Sequence, residues 1–249
     1  MDIDLDQLRK PLVGVRSTSL NVRGIYIESG AVEHLVDILE NYQNPVILCD
    51  SNTRAAAEPF LEEEFKDYPI IELKPKKVRA DKKTIKKVLE QIEFCERGCT
   101  AVCVDILIVI GAGALHDVAG YCAKEYGIEY VSIPTAASMD DLLSQQVMID
   151  WKGEDRLVPA AEPVWILADT DILTKAPSAL TEEGISLVVN AYRAWKSGEI
   201  GADLEDENAR DMIHHALRDV DRAQDDIRNG AADDMEKLMY GLLVCSLIR

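Results

Sequence analysis

Residues 108–117 read Ile-Val-Ile-Gly-Ala-Gly-Ala-Leu-His-Asp, an apolar segment followed by a glycine turn and the start of a helical pattern. Gly111 and Gly113 can adopt backbone angles that other residues avoid, and they let a ligand approach the main chain. The first amides of a helix are unpaired within it and lie at the positive end of its dipole. The stretch therefore predicts a strand, a turn and a helix that bind an anion such as phosphate. Because Gly-x-Gly alone is a weak signal, a strand-to-helix turn without a ligand is the alternative.

The composition predicts a folded protein and excludes several classes of partner. The chain has 249 residues, 47% of them hydrophobic, which is enough for one large domain or two smaller ones. A net charge of -18 argues against nucleic acid and against a membrane surface as partners. The basic cluster at residues 74–87 has no interleaved aromatic side chain and is typical of a solvated helix face.

No apolar run reaches the roughly 18 residues of a membrane span, and the N-terminal segment MDIDLD is unlike a signal peptide. We therefore expect a cytoplasmic protein without membrane insertion. The six cysteines favour reduced thiols over a disulfide framework. The spacing of Cys95, Cys99 and Cys103 would suit metal ligands on one helix face. Since Gly98 predicts a helix break, half-buried packing is the preferred interpretation of these thiols.

Hydrophobic periodicity predicts strands that alternate with helices over the first two thirds of the chain. The expected strands are residues 22–28, 46–49, 70–73, 105–110, 130–133 and 164–167, with a β-hairpin at 147–159. The expected helices between them are residues 30–42, 53–65, 81–96 and 115–126. Three further helices, at residues 181–196, 205–228 and 232–249, follow a connection near 173–181.

This alternation predicts an α/β protein whose parallel sheet is covered on both faces and binds ligands at the carboxyl ends of its strands. We expect a Rossmann-like α/β domain at residues 1–175 and an all-helical domain at residues 176–249. The last helix carries more large apolar side chains than two neighbouring helices would cover, and such a patch usually marks an interface. We therefore expect a homodimer or a larger homo-oligomer. The apolar residues in question are Leu238, Met239, Leu242, Leu243, Leu247 and Ile248.

Several stretches, read together, resemble the glycerol-1-phosphate dehydrogenases of the iron-containing alcohol dehydrogenase, glycerol dehydrogenase and dehydroquinate synthase superfamily. They are the glycine loop with its helix, the segment SIPTAASMD at residues 132–140, and the segments LVPAAEP at 157–163 and ADTDIL at 168–173. The similarity extends over roughly residues 22–245. Relative to the family pattern, the helical domain is incomplete.

The resemblance implies a dinucleotide site for NAD or NADP in the first domain. Its pyrophosphate would lie on Gly111, Ala112 and Gly113, although the family often has glycine or serine where the methyl group of Ala112 would crowd the phosphates. Asp117 would lie near the start of the next helix. The adenosine ribose would lie near Asp50, which follows the second strand and favours NAD weakly. The alternatives are a helix cap at Asp50 and a first-turn acid at Asp117.

The same resemblance assigns the nicotinamide and substrate ends of the site. Thr135 and Ser138 would face the nicotinamide half of the cofactor. Asp140 would border the substrate pocket and is the candidate catalytic residue. Helix caps at Thr135 and Ser138, and a loop carboxylate at Asp140, are the alternatives.

Members of the family hold a divalent metal, usually zinc in the glycerol-1-phosphate dehydrogenases, through one aspartate and two histidines, and the metal polarises the substrate oxygen. In the segment GISLVVNAY at residues 184–192, Leu187 stands at the aspartate position and cannot be a ligand. Neither histidine motif is met before Arg249. Zinc is therefore expected from the family but not supported by this sequence, and no metal ligand is predicted. The histidines, expected to be structural or exposed, are His34, His116, His214 and His215.

Two functions follow from these observations. The resemblance implies an NAD(P)-dependent reductase of a small phosphorylated ketone, which would convert dihydroxyacetone phosphate to glycerol 1-phosphate, a precursor of polar lipids. The missing metal ligands favour the alternative of a catalytically degenerate relative that binds a dinucleotide or serves in assembly. A lyase similar to dehydroquinate synthase is less well supported, because it needs the same metal.

Overall fold

The structure, a computed structural model, describes residues 20–61, 65, 67–75, 78–98, 103–202, 204 and 206–248. Its strands are β1 (Gly24–Glu28), β2 (Pro45–Asp50), β3 (Ile70–Leu73), β4 (Ile106–Gly111), β5 (Glu129–Pro134), β6 (Gln146–Asp150), β7 (Asp155–Pro159) and β8 (Trp165–Asp169). Its α-helices are α1 (His34–Leu39), α2 (Ser51–Ala57), α3 (Lys82–Gly98), α4 (Ala114–Tyr126), α5 (Thr170–Leu173), α6 (Ser178–Ser197), α7 (Glu207–Arg228) and α8 (Ala232–Ile248). Short 3-10 turns lie at Ala31–Glu33 and Glu58–Phe60.

Six strands form one all-parallel sheet in the order β1-β8-β5-β4-β2-β3. Successive residues of β4 face opposite sides of the sheet, as the pleat requires. Leu107 and Val109 pack with α3 and α4, whereas Ile108 and Ile110 pack with α1 and the region after α2. Because both faces are covered, the buried strands carry no polar face. The predicted α/β class, with a parallel sheet followed by a helical region, is confirmed.

The helix predicted at residues 53–65 is shorter than expected. It begins at Ser51 and gives way after Ala57 to the 3-10 turn that contains Pro59. Proline has no amide hydrogen to donate, so Pro59 cannot continue the hydrogen-bond pattern of the α-helix. The chain is extended at Leu61, with φ −89° and ψ 141°. Residues 62–64 of the predicted helix lie outside the described residues.

Helix α8 is buried within the chain, so the exposed apolar patch expected on it is wrong. Leu238, Met239, Leu242 and Leu243 are each at most 1% exposed. The helix is covered by α6 and α7, and it also contacts α5 and β1, so the first strand of the sheet completes its environment. A homo-oligomer stays a prediction, but the apolar residues of α8 no longer support it. The boundary between domains at residues 175 and 176 also stays a prediction.

The predicted β-hairpin is present as strands β6 and β7. Lys152 and Gly153 both have positive φ, 64° and 87°, as a two-residue type I′ turn requires. No helix within the described ranges is long and apolar enough to cross a bilayer. Residues 76–77 of the basic cluster and the thiol of Cys99 lie outside the described residues.

Candidate functional site

The two glycines of the glycine loop (residues 111–113) are needed for different reasons. Gly111 ends β4, and a Cβ there would lie 2.3 Å from Cδ1 of Leu115, so its absence lets helix α4 pack closely on the strand. Gly113 has φ 51° and ψ −121°, a conformation that residues with side chains avoid. A Cβ on Gly113 would meet no atom within 4 Å. The backbone at Gly113 therefore borders open space, as a ligand site requires.

Some amides of the first turn of α4 are already engaged in the turn itself. The amides of Leu115 and His116 donate to the carbonyls of Ala112 and Gly113, at 3.3 and 2.8 Å. The Gly113 amide lies 3.3 Å from Sδ of Met139. Among the described residues, no acceptor pairs with the Ala114 amide, which begins the helix. The free donors at this helix start are therefore fewer than the sequence predicted.

The β5–β6 loop (residues 135–145) lies directly against the glycine loop. The Thr135 amide donates to the carbonyl of Gly111 at 3.0 Å. Thr135 and Asp140 are buried, at 7% and 5% exposure, whereas Ser138 is partly exposed. The structure thus brings the predicted nicotinamide and pyrophosphate residues to one edge of the sheet.

Asp50 lies at the same edge and caps helix α2. Strands β2 and β4 are paired so that Cys49 is opposite Ile110, and Asp50 is therefore the neighbour of the glycine loop. Its Oδ1 accepts hydrogen bonds from the amides of Asn52 at 2.7 Å and Thr53 at 3.0 Å. Oδ1 of Asp50 therefore caps helix α2, as the helix-cap interpretation of this residue expected. A ribose hydroxyl would have to donate to Oδ2, and this contact stays a prediction.

Asp117, in the first turn of α4, has an unusual carboxyl group. Burial, with a smaller contribution from the nearby charge of Asp141, raises its pKa from 3.8 to about 7. The pKa of Tyr130 is also raised, by burial first and then by the charges of Glu162, Asp117 and Asp141. Near neutral pH, Asp117 can therefore hold or release a proton beside the glycine loop.

Two residues near the site were missed by the sequence reasoning. Met139 could not be predicted, because a thioether that accepts from a backbone amide leaves no pattern in the sequence. Arg54 follows Asp50 by four residues, and its guanidinium lies 3.2 Å from a carboxylate oxygen of Glu72 and 3.8 Å from one of Glu58. The signal for Arg54 was available, because a cation just beyond the second strand can contact a ribose phosphate.

The described residues do not fit the metal of the family. Leu187 is partly buried against the core of the helical region, one turn after Gly184 on α6. Within the ranges given above, no three His, Cys, Asp or Glu side chains are grouped so that they could hold a metal ion. Cys95 is partly buried and Cys103 is exposed.

Each histidine has a local partner. Nε2 of His116 lies 2.6 Å from Oγ of Ser132, and burial lowers its pKa to about 3, so this imidazole is neutral. His34 stacks on Tyr26 with ring centroids 3.8 Å apart. The remaining pair lies on α7, where His214 contacts the ring of Tyr192 and Nδ1 of His215 lies 2.8 Å from Arg218.

Comparisons with known proteins bear on this arrangement. A family model described as iron-containing alcohol dehydrogenase matches residues 26–177. A glycerol-1-phosphate dehydrogenase (NAD(P)+) of Bacillus velezensis is 26% identical over 248 residues, which cover 94% of this chain and 61% of the relative. The enzyme of the same name from Bacillus licheniformis is 28% identical over 243 residues, 92% of this chain and 58% of the relative. The chain thus spans less than two thirds of the length of these relatives.

A solved structure shows the same fold. The crystal structure of maleylacetate reductase from Rhizobium sp. strain MTP-10005 superposes with a TM-score of 0.72 at 14% identity, covering 92% of this chain and 63% of that one. At this identity the likeness concerns the fold alone.

Proposed function

The chain belongs to the iron-containing alcohol dehydrogenase family, and from this premise we propose that it binds NAD or NADP and acts in the reduction of dihydroxyacetone phosphate to glycerol 1-phosphate. The observation that carries the proposal is the contact between the glycine loop and the β5–β6 loop at the carboxyl edge of the sheet. In doubly wound sheets, this edge is where dinucleotides bind.

The pyrophosphate would be held by Gly111, Ala112 and Gly113. The open space beside Gly113 and the unpaired Ala114 amide support this assignment. A phosphate oxygen accepts a hydrogen bond more strongly than a thioether does, because it is charged. Cofactor binding at Gly113 would therefore displace Sδ of Met139 from the Gly113 amide. Asp50 would accept a hydroxyl of the adenosine ribose through Oδ2.

The nicotinamide half would lie against Thr135 and Ser138, with Asp140 at the border of the substrate pocket. Reduction of a ketone needs a hydride and a proton, and the reduced dinucleotide supplies the hydride when it is bound. Asp117, at the start of α4 beside the glycine loop, is partly protonated near neutral pH because its pKa is about 7. A small phosphorylated ketone would be the substrate.

The described residues offer no ligand group for the family's metal, and the resemblance places Leu187 at the position of the family's aspartate. The alternative of a dinucleotide-binding relative without turnover depends on this observation alone, and the comparisons do not favour it.

One set of assays tests the proposal. NADH is titrated into the purified chain and followed by its fluorescence, and NADH oxidation is then measured with dihydroxyacetone phosphate, with and without added zinc. We expect saturable NADH binding. Turnover in either condition would support the reductase and contradict the degenerate alternative. A chain that binds neither NADH nor NADPH would contradict the dinucleotide site itself.

A further inference from the structure

The β5–β6 loop rests on helix α6 through a glycine. A Cβ built on Gly184 would lie 1.9 Å from the carbonyl oxygen of Ala137 and 3.0 Å from its carbonyl carbon. Both of these are backbone atoms, so no side-chain rotation could relieve the overlap. Only glycine at position 184 lets the loop lie where it does.

The same loop makes a second contact with the helical region. The Leu143 amide donates to Oγ of Ser246 on α8 at 2.9 Å, and the two residues are 0% and 2% exposed. A buried amide that lost this acceptor would keep the cost of its desolvation. Ser246 therefore fixes the far end of the loop, as Gly184 fixes its middle.

On its other side, the loop contacts the glycine loop. The Thr135 amide donates to Gly111, and Met139 accepts from Gly113. Ala137, which rests on Gly184, lies between the two residues assigned to the nicotinamide, Thr135 and Ser138. A shift of Ala137 would therefore move the nicotinamide side of the site relative to the glycine loop.

We infer that Gly184 and Ser246 are positioning residues, through which the helical region sets the β5–β6 loop for the nicotinamide half of the cofactor. The inference rests on the proposed function for the identity of the ligand. The contacts with Ala137 and Leu143 are independent of it.

The experiment compares Gly184→Ala with Gly241→Ala. Both glycines are buried inside long helices, and alanine favours helix over glycine, so the helices themselves should persist. The three atoms nearest to a Cβ on Gly241 belong to the side chains of Val220, at 2.9 Å, and Val188, at 3.1 and 3.4 Å, and none belongs to the β5–β6 loop. Gly241→Ala therefore controls for overpacking in the helical core.

Two measurements separate positioning from general destabilisation. In the ligand-free chain, we expect the Thr135 and Leu143 amides of Gly184→Ala to exchange hydrogen about tenfold faster than in the wild type. We also expect NADH to bind about tenfold more weakly, while ADP-ribose, which lacks the nicotinamide, binds within about threefold of the wild type. Gly241→Ala should change neither the exchange of these amides nor the ratio of the two affinities.

Ser246→Ala serves as the second variant and covers the case in which Gly184→Ala does not fold. It should speed exchange of the Leu143 amide and weaken NADH more than ADP-ribose, and Ser246→Thr, which keeps the hydroxyl, should restore both. Unchanged loop exchange, or equal losses for NADH and ADP-ribose, would overturn the inference. Failure of the wild type to bind NADH would instead overturn the proposed function, and the exchange data would still decide whether these helices position the loop.

Discussion

The Sδ atom of Met139 lies 3.3 Å from the amide nitrogen of Gly113, so a buried side chain of the β5–β6 loop occupies a donor of the glycine loop. A thioether is a weak acceptor, and a phosphate oxygen would replace it readily. The contact joins the two loops, and it competes with any anion that binds Gly113.

Substitution of Met139 tests this competition. Met139→Leu keeps an apolar side chain of similar volume but removes the acceptor, so we expect NADH to bind about two- to fivefold more tightly, the equivalent of one weak hydrogen bond. Titration of NADH by fluorescence measures the change. Met148→Leu, on the hairpin and 48% exposed, is the matched control and should leave the affinity unchanged. Weaker binding by Met139→Leu would show that Met139 supports the site and does not compete with the ligand.

The backbone of Gly113 gives a second prediction. Gly113→Ala forces alanine into φ 51° and ψ −121°, which should cost about 1 to 3 kcal/mol of stability and weaken NADH at least about tenfold. Gly127→Ala is the control at the other end of α4. Its φ of 74° and ψ of 31° lie in the left-handed region, and its Cβ would also meet no atom within 4 Å. Gly127→Ala should lower the stability by about 1 kcal/mol and leave the affinity for NADH unchanged.

Equal NADH affinity in Gly113→Ala and the wild type would contradict a close approach of the ligand to this backbone. Urea denaturation of both variants reports the stability changes, so that weak binding by an unfolded protein cannot be mistaken for a lost contact.

Much of the fold could be predicted because its signals are local. Strand periodicity and the helix-capping residues located the sheet, and parallel strands necessarily bring Asp50 and the glycine loop to one edge. The burial of α8 could not be read in the same way. Its cover includes β1, about 200 residues away in the chain, and a helix considered with its sequence neighbours alone leaves apolar surface without a partner.

In the candidate site, too, local features could be predicted from the sequence and contacts between distant residues could not. Glycines in a strand-to-helix turn predict a ligand from backbone geometry alone, whereas the contacts of Met139 with Gly113 and of Gly184 with Ala137 join residues far apart in sequence. Such contacts leave no periodic pattern in the sequence, so they are seen only in the folded structure. The pKa of Asp117 is raised by burial and by Asp141, both products of tertiary structure.

Asp117 makes stability depend on pH. Its pKa of about 7 in the folded chain lies above its ordinary value of 3.8, so the folded state binds more protons than the unfolded state between these pH values. The free energy of unfolding should therefore fall as the pH rises from about 4 to about 7. Asp117→Asn removes this contribution, and its stability relative to the wild type should rise by about 2 to 3 kcal/mol between pH 5 and pH 8.

Urea denaturation of the wild type and Asp117→Asn at several pH values measures this difference. Asp155→Asn, at an exposed position on the hairpin, is the control, and its stability should change with pH in the same way as that of the wild type. If the free energies of unfolding of Asp117→Asn and the wild type changed in parallel between pH 5 and pH 8, the raised pKa of Asp117 would be wrong.

The carboxylates around Arg54 predict a preference for NAD over NADP. The 2′-phosphate of NADP needs a cation near the end of the second strand, and Arg54 is placed there. Its guanidinium is already shared between Glu72 at 3.2 Å and Glu58 at 3.8 Å, and Asp50 adds a further negative charge at the same edge. A phosphate at this position would meet repulsion from the carboxylates, whereas a ribose hydroxyl can donate to Asp50.

Glu72→Gln should shift this preference. The change removes the closer carboxylate and leaves Arg54 with Glu58 alone, so we expect the affinity for NADPH, relative to that for NADH, to rise about two- to fivefold, the range of an exposed ion pair. Glu154→Gln removes a carboxylate that pairs with Arg156 at 2.9 Å on the distant hairpin, and it controls for the change in net charge. Because exposed pairs are screened by salt, the shift should shrink as ionic strength rises. A ratio that stays constant in Glu72→Gln, or that rises equally in Glu154→Gln, would exclude Arg54 from the ribose end of the site.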